Sequence, residues 1–178
     1  MEASILIFKF FLIIFIFFFF FNGNQNQKTI LGKARIIDGD TIHIGNNKIR
    51  LHGIDAPEIH QDCSYNNEDW KCGQLSKNFL LNLINLDLVN CQVKTVDKYK
   101  RYIAICFVNN LNINEMMVKN GWAIAYRYYS KDYVDEELIA KKNKVGIWKG
   151  KFIEPYLFRK KINNVLLMMR SILQNFNQ

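Results

Sequence analysis

Residues 50–58 read Arg50-Leu51-His52-Gly53-Ile54-Asp55-Ala56-Pro57-Glu58. The proline marks a turn, and the residues before it predict an extended strand. One guanidinium and two carboxylates therefore gather at the end of one strand. An aspartate can hold a metal ion, a glutamate can activate or orient water, and an arginine can grip a phosphate through two hydrogen bonds. These side chains suit phosphodiester hydrolysis, although a surface cluster of ion pairs would have the same sequence.

A second acidic stretch, residues 36–44, lies upstream. Asp38 and Gly39 stand between β-branched runs and predict a tight turn, after which Asp40 begins the returning strand. If this strand lies near the one that ends at Asp55, the two aspartates can share one hard cation. The alternative is an ordinary hairpin whose acids only face water.

A basic and aromatic stretch, residues 96–102, reads Val-Asp-Lys-Tyr-Lys-Arg-Tyr between two apolar strands. Lysine, tyrosine and arginine at a hairpin tip suit contact with phosphates and stacking on bases or sugars. A solvated turn of the same composition is the alternative.

The three blocks, in this order and at these spacings, resemble the thermonuclease family, whose type member is staphylococcal nuclease. The motifs are D-G-D-T from residue 38, R-L-x-G-I-D-A-P-E from residue 50 and D-K-Y-x-R from residue 97. The later residues 120–129 and 146–148 also fit the bacterial members. The resemblance covers about residues 32–149 and implies an α+β fold, a five-stranded OB-fold β-barrel with three helices. An N-terminal hydrophobic segment and a C-terminal helical tail flank this domain.

The resemblance also implies a metal site. Asp40 and Asp55 match the acids that bind calcium in the family, so the implied cofactor is Ca²⁺. Ala56 stands where the type member has threonine, at a position whose main-chain carbonyl is thought to ligate the ion. Because a carbonyl needs no particular side chain, we expect alanine to be tolerated there.

Catalytic and substrate-binding residues are implied in the same way. Glu58 matches the carboxylate assigned to water activation, and Arg50 and Arg101 match the two arginines that bind the scissile phosphate. Three further residues match positions that contact the nucleotide: Lys98, Tyr99 and Tyr126. Lys100 replaces a turn glycine of the family, and a positive φ there costs a residue with a side chain about 1 kcal/mol.

The resemblance predicts a calcium-dependent endonuclease that hydrolyses DNA and RNA, leaves 3′-phosphate ends and acts as a monomer. An alternative is a non-catalytic nucleic-acid-binding OB-fold module, exported or membrane-tethered. A protein that binds nucleic acid without cleaving it would not need all of the matching acids and arginines. A second alternative is a membrane-tethered protein-interaction domain.

The four cysteines, Cys63, Cys72, Cys91 and Cys106, allow three pairings. If residues 97–100 form a four-residue turn, Cys91 falls directly opposite Cys106, at the Cα spacing that a disulfide needs. Cys63 and Cys72 would then bridge the loop after the active-site turn and could fix Glu58 relative to the following helix. A zinc site with His60, Cys63 and Cys72 is a less favoured alternative, because the spacing matches no compact zinc module.

Composition divides the chain into three parts. Residues 1–27 contain twelve consecutive apolar residues from Phe10 to Phe21 and predict a signal peptide or membrane anchor with a polar linker. The resemblance predicts that residues 28–154 form the nuclease-like OB-fold domain. We therefore expect a protein that is exported: secreted, periplasmic or anchored to the membrane by its N-terminal segment.

Residues 155–178 form a basic helical tail. The net charge of the chain is +8, which favours a polyanionic partner, with nucleic acid the main candidate. A helix over residues 162–176 would carry one apolar side. We expect this side to pack against the barrel, and the alternative is contact with a membrane surface, helped by the basic residues of the tail.

Overall fold

The computed structural model describes residues 27–176. Its strands are β1 Thr29–Ile36, β2 Thr41–Ile44, β3 Asn47–Leu51, β4 Ile54–Asp55, β5 Cys63–Tyr65, β6 Glu68–Trp70, β7 Leu88–Val96, β8 Tyr102–Val108, β9 Leu111–Asn112 and β10 Ile124–Ala125. Its α-helices are α1 Cys72–Ile84, α2 Ile113–Lys119, α3 Val134–Asn143 and α4 Pro155–Phe176, and a 3₁₀ helix spans Gly146–Lys149. The predicted hydrophobic signal or anchor lies outside the described residues.

Five of these strands close into a barrel. Their hydrogen-bonded order is β3, β2, β1, β7 and β8, and a parallel pairing of β3 with β8 completes the circle. Buried aliphatic side chains such as Ile42, Ile49 and Val89 fill the interior, and α1 and α2 add Leu80 and Met117 to the same core. The predicted α+β fold with an OB-fold barrel is confirmed.

The single strand predicted before Pro57 is interrupted in the structure, which moves Asp55 out of the barrel sheet. Gly53 has a φ of +74°, a conformation that residues with side chains rarely adopt. After this break β4 pairs with β10 instead, with Asp55 opposite Ile124. Asp55 thus belongs to the second, two-stranded sheet, where it is fully buried.

The hairpin of β7 and β8 contains the predicted disulfide between Cys91 and Cys106. The predicted turn is nevertheless one residue too short, because Val96 pairs with Tyr102 rather than Arg101. A β-bulge at Lys94 shifts the register back by one residue. The two shifts cancel, so Cys91 still lies opposite Cys106.

The second disulfide joins Cys63 of β5 to Cys72, the first residue of α1. Because both sulfurs are used in this bond, Cys63 and Cys72 cannot bind zinc, and the alternative of a zinc site is wrong. Strands β5 and β6 form a small hairpin between these cysteines. The bridge fastens this hairpin, which follows the loop of Glu58, to the start of α1.

Helix α4 is longer than predicted and is largely exposed to solvent. It begins at Pro155, which is buried and suits the first turn of a helix because it needs no amide donor. Its later apolar side chains are exposed, for example Met168 at 66% and Leu173 at 60%. The expected packing against the barrel is therefore wrong beyond the first two turns. None of the helices within residues 27–176 is both long and apolar enough to cross a membrane.

Candidate active site

Arg50 holds the two aspartates of the site together. It lies on β3 opposite Thr41 of β2, so its side chain reaches the residue that precedes β2. Its Nη1 donates to Oδ1 of Asp40 at 2.7 Å, and its Nη2 donates to Oδ1 of Asp55 at 2.8 Å. One guanidinium thus spans two carboxylates from different elements and brings Asp40 and Asp55 to one place.

The carboxylate of Asp40 is fixed by further donors. The Thr41 hydroxyl donates to Oδ1 at 3.1 Å, and the Ala56 N–H donates to Oδ2 at 2.9 Å. At the preceding Gly39, a Cβ would collide with Ser76 on α1 and would come within 2.7 Å of the Ala56 Cβ. The turn before β2 therefore packs directly against α1 and Ala56, which brings the first two sequence motifs into one unit.

Four carboxylates crowd this end of the barrel, those of Asp38, Asp40, Asp55 and Glu58. Burial and the charge of Asp40 raise the pKa of Asp38 to about 7. Burial raises the pKa of Asp55 as well, with Asp40 adding to the effect and the neighbouring arginines opposing it. The site therefore favours additional positive charge.

Arg159 of α4 supplies such a charge, and no sequence motif pointed to it. Its Nη1 donates to Oδ1 of Asp55 at 2.9 Å and to Oε1 of Glu58 at 2.7 Å, while its Nη2 donates to Oδ2 of Asp55 at 3.1 Å. Burial alone would lower the pKa of Arg159, but the hydrogen bonds and ion pairs with Asp55 and Glu58 raise it overall. The guanidinium therefore stays charged.

Glu58 lies in the loop between β4 and β5, and Gln61 fixes its backbone. The Glu58 N–H donates to the Gln61 side chain at 3.3 Å, and the Gln61 N–H donates to the Glu58 carbonyl at 2.7 Å. On the other side, Gly73 of α1 approaches so closely that a Cβ there would collide with the Glu58 carbonyl. The loop is thus held between Gln61 and the start of α1.

A groove adjoins this acidic centre. It is a cavity of 510 Å³ whose lining includes Arg50, Arg101 and Tyr126, together with the turn residues Lys98 and Tyr99. Tyr129 lines it as well, so three cations and three tyrosines face one space, a composition that suits a phosphate backbone and stacked bases.

Arg101 lies in this groove rather than at the acids. Its Nε donates to Oδ2 of Asp97 at 2.8 Å, and none of its hydrogen bonds or ion pairs within the described residues reaches Glu58. The backbone N–H groups of Tyr99 and Arg101 also donate to Asp97. Asp97 thereby organises the turn, and its hydrogen bonds to Arg101 hold its pKa below the ordinary value despite its burial.

Tyr126 separates the groove from a second cavity of 240 Å³ that it also lines. Burial, and next the charge of Asp55, raise the pKa of Tyr126. Its ring lies 5.1 Å from the ring of Tyr129 and 6.4 Å from that of Tyr128. The sequence motifs did not single out Tyr128 and Tyr129, which are 82% and 70% exposed and extend the aromatic surface.

The acidic centre has the donor chemistry that calcium prefers, which is carboxylate and carbonyl oxygen. Burial, and next the charge of Asp40, raise the pKa of Asp55, and a bound cation would oppose both effects. Within residues 27–176 no three acidic, histidine or cysteine side chains are already arranged around a common metal position. Arg50 and Arg159 lie between the acids instead.

The family comparison agrees with the geometry. Residues 48–150 match the family described as staphylococcal nuclease homologue. The chain belongs to this family. The predicted resemblance is confirmed, and the matched segment runs from β3 past the 3₁₀ helix, so it includes Arg50, Asp55, Glu58 and Arg101. Arg159 lies beyond it.

Individual relatives point the same way. An uncharacterised endonuclease of Haemophilus influenzae is 36% identical over 149 residues, covering 78% of this chain and 79% of its own length. The micrococcal nuclease of Shigella flexneri is 31% identical over 149 residues, covering 74% and 80%. The succinoglycan biosynthesis protein ExoI of Rhizobium meliloti is 31% identical over 125 residues, and the match covers 68% of this chain but only 65% of that relative. Family membership and the first two names support a hydrolase that acts on nucleic acid.

Proposed function

We propose that this protein is a calcium-dependent endonuclease that hydrolyses DNA and RNA and leaves 3′-phosphate ends. The observation that carries the proposal is the arrangement around Arg50, which joins the buried Asp40 and Asp55 on one side and lines the basic, aromatic groove on the other. Acids that suit a cation thus adjoin side chains that suit a nucleic-acid backbone. Family membership supports the same reaction.

In the proposed reaction Asp40, Asp55 and the Ala56 carbonyl would hold Ca²⁺, which would polarise the scissile phosphate. Arg50 and Arg101 bind the phosphoryl oxygens from the groove and stabilise the charge that grows on them in the transition state. Lys98 and Tyr99 contact the neighbouring phosphate.

Glu58 orients the attacking water and takes up its proton. The water oxygen forms a bond to phosphorus, the bond from phosphorus to the 5′ oxygen breaks, and this oxygen leaves with a proton from solvent. The phosphate therefore stays on the 3′ side. Tyr126 packs against a base and holds the strand in register.

The two disulfides support export, because disulfides persist in oxidising compartments and are rare in the cytosol. We therefore propose that the protein works outside the cytosol, either secreted or periplasmic or held at the membrane by residues 1–27. Fractionation of the producing cell, with detection of the chain in each compartment, tests this location.

A nuclease assay tests the proposed function. The full-length chain is incubated with single-stranded DNA or RNA, either with calcium or with a chelator, and the product ends are examined for phosphatase-sensitive 3′ groups. Digestion that requires calcium is expected. The variant Glu58→Gln should bind the strand but cleave it far more slowly, whereas Lys48→Gln, an exposed change on β3, serves as the matched control.

The same assay separates the alternatives. Binding without digestion in the presence of calcium would favour a non-catalytic nucleic-acid-binding module. Neither binding nor digestion would favour a protein-interaction domain. Digestion that persists in chelator would contradict the calcium requirement but would still support the assignment as a nuclease.

A further inference from the structure

Arg159 occupies the position that a cation on Asp55 would need. Both carboxylate oxygens of Asp55 accept hydrogen bonds from Arg159, at 2.9 and 3.1 Å. A calcium ion bound to the same oxygens would lie about 2.3–2.6 Å from them. Two positive groups at such short distances from one carboxylate repel each other strongly, since a buried site screens charge poorly. Arg159 must therefore withdraw from Asp55 before a cation can bind there.

Of the two arginines at the site, Arg159 is the one placed to withdraw. The Arg50 side chain is 15% exposed and that of Arg159 is 32% exposed. Arg50 also belongs to a central barrel strand and ties two buried aspartates together. Releasing it would leave both of them without this partner, whereas the departure of Arg159 frees Oδ2 of Asp55, to which Arg50 donates no hydrogen bond.

The segment that precedes α4 keeps Arg159 close to the acids. Lys151 exchanges two backbone hydrogen bonds with Ser64, at 2.7 and 2.8 Å, and the Gln61 side chain donates to the Ile153 carbonyl at 2.6 Å. These contacts attach the segment before the tail to the loop that contains Glu58 and to strand β5, which follows that loop. Arg159 is thereby present at a high effective concentration, like any tethered ligand.

The rest of α4 places little restraint on such a movement. After Arg159, every residue of the helix whose side chain is described is exposed. The turns after Arg159 therefore make few packing contacts, and in the turn before it only Pro155 is buried, so Arg159 can swing away while Pro155 keeps its place. The withdrawal of Arg159 also frees Glu58 from an ion pair and leaves that carboxylate available to water.

We propose that Arg159 is a positioning residue that holds Asp55 and Glu58 while the divalent cation is absent and withdraws when it binds. The tail helix thereby sets the affinity of the site for the cation. This inference rests on the proposed function, because it takes the cation to be calcium bound at Asp55.

Calorimetric titration of the full-length chain with calcium alone tests the inference without any measurement of activity. Removing the competitor in Arg159→Gln should tighten calcium binding by about tenfold or more. Arg159→Lys keeps the charge but not the planar fork. The calcium affinity of this variant should therefore lie between that of the unaltered chain and that of Arg159→Gln. The adjacent, exposed Lys160→Gln is the matched control and should behave like the unaltered chain.

Hydrogen exchange of α4 provides a second readout. Calcium should speed amide exchange in residues 155–162 of the unaltered chain, and Arg159→Gln should show fast exchange there without calcium. Equal or weaker calcium binding by Arg159→Gln would overturn the inference and leave the proposed function standing. Absence of calcium binding in every variant would overturn the calcium-dependent function, and the inference with it.

Discussion

Arg50 spans Asp40 and Asp55 with the two ends of one planar group. A lysine ammonium is a point charge and lacks this fork, so it could satisfy only one of the two carboxylates well. Arg101 uses its own fork differently, holding Asp97 while it faces the groove. Both positions therefore depend on the shape of arginine as well as on its charge.

We predict that Arg50→Lys or Arg101→Lys lowers the rate of cleavage by about a hundredfold or more, on the scale of one lost transition-state donor. Folding should be largely retained, because each change keeps the positive charge. Measuring kcat/KM on a short oligonucleotide, together with the thermal midpoint of unfolding, checks both statements. Near-normal turnover in both variants would contradict the assignment of these arginines to the phosphate.

Residues inside the motifs could be predicted from sequence, and Arg159 could not. Asp40, Asp55 and Arg50 stand in ordered motifs, which is why the sequence could place the two aspartates close together. Arg159 stands in a run of three basic residues in the tail, and only the path of the chain decides which of the three reaches the acids. Lys100 lies between these cases, because the replaced turn glycine left the geometry of the hairpin open, and the structure keeps a positive φ there, 62°.

At the scale of single elements, Glu137 connects α3 to the active-site side of the molecule. Its Oε1 accepts the Ala125 N–H of β10 at 3.1 Å, and its Oε2 accepts Arg127 at 2.6 Å and Lys141 at 2.8 Å. Burial would raise the pKa of Glu137, but the hydrogen bonds from Arg127 and Lys141 lower it overall. Since β10 pairs with the strand of Asp55, this helix supports the acidic centre indirectly.

We predict that Glu137→Gln lowers the free energy of unfolding by about 1–3 kcal/mol, the scale of hydrogen bonds to a charged group. The lowered pKa means that the ionised form stabilises the fold above the unfolded pKa, and this contribution is lost as the pH falls through the folded pKa. Urea unfolding at neutral pH and in the range below pH 4.5 tests the prediction. The variant should lose less stability on acidification, and an equal loss in both proteins would contradict it.

The two disulfides join different elements, and we predict different effects of removing them. Replacing Cys91 and Cys106 by alanine removes a crosslink between residues that lie 15 positions apart in the barrel. The loss should lower the free energy of unfolding by about 3 kcal/mol. Replacing Cys63 and Cys72 should reduce the cleavage rate by a larger factor, because that bridge anchors the region of Glu58. Unfolding and rate measurements on both double variants check this. Equal losses of rate in the two would contradict a positioning role for the Cys63–Cys72 bridge.

Element boundaries show where sequence patterns stop being informative. The apolar pattern of residues 113–119 predicts a short helix, and helix α2 spans Ile113–Lys119. The break at Gly53 was not predicted, because alternating apolar residues continue on both sides of it. The bulge at Lys94 was not predicted either, since neither neighbour of Lys94 is a glycine. The effect of this bulge on the pairing of the cysteines also depends on the length of the turn between β7 and β8.

Across the whole molecule, positive charge exceeds negative charge by eight. Part of this excess faces the groove through Arg50, Lys98 and Arg101, and another part follows α4, where Arg159, Lys160, Lys161 and Arg170 have no acidic neighbour in sequence. Binding of a nucleic-acid backbone to such a surface releases counterions, so affinity should depend on salt concentration.

We predict that the Glu58→Gln variant binds a single-stranded oligonucleotide with an affinity that falls linearly with salt on logarithmic axes, with a slope of about −0.7 for each phosphate contacted. Fluorescence anisotropy between about 50 and 200 mM salt measures this slope. Arg101→Gln in the same background should make the slope shallower. An affinity that does not change with salt would contradict backbone recognition by the groove.

The bridge between Cys91 and Cys106 has a consequence for the order of events during biosynthesis. Both sulfurs lie inside the closed barrel with no exposed surface, so neither an oxidant nor a thiol catalyst can touch them in the finished molecule. Oxidation must therefore happen while the polypeptide is still partly open. A chain that folds completely under reducing conditions would keep two thiols there and could acquire the bridge only by unfolding again.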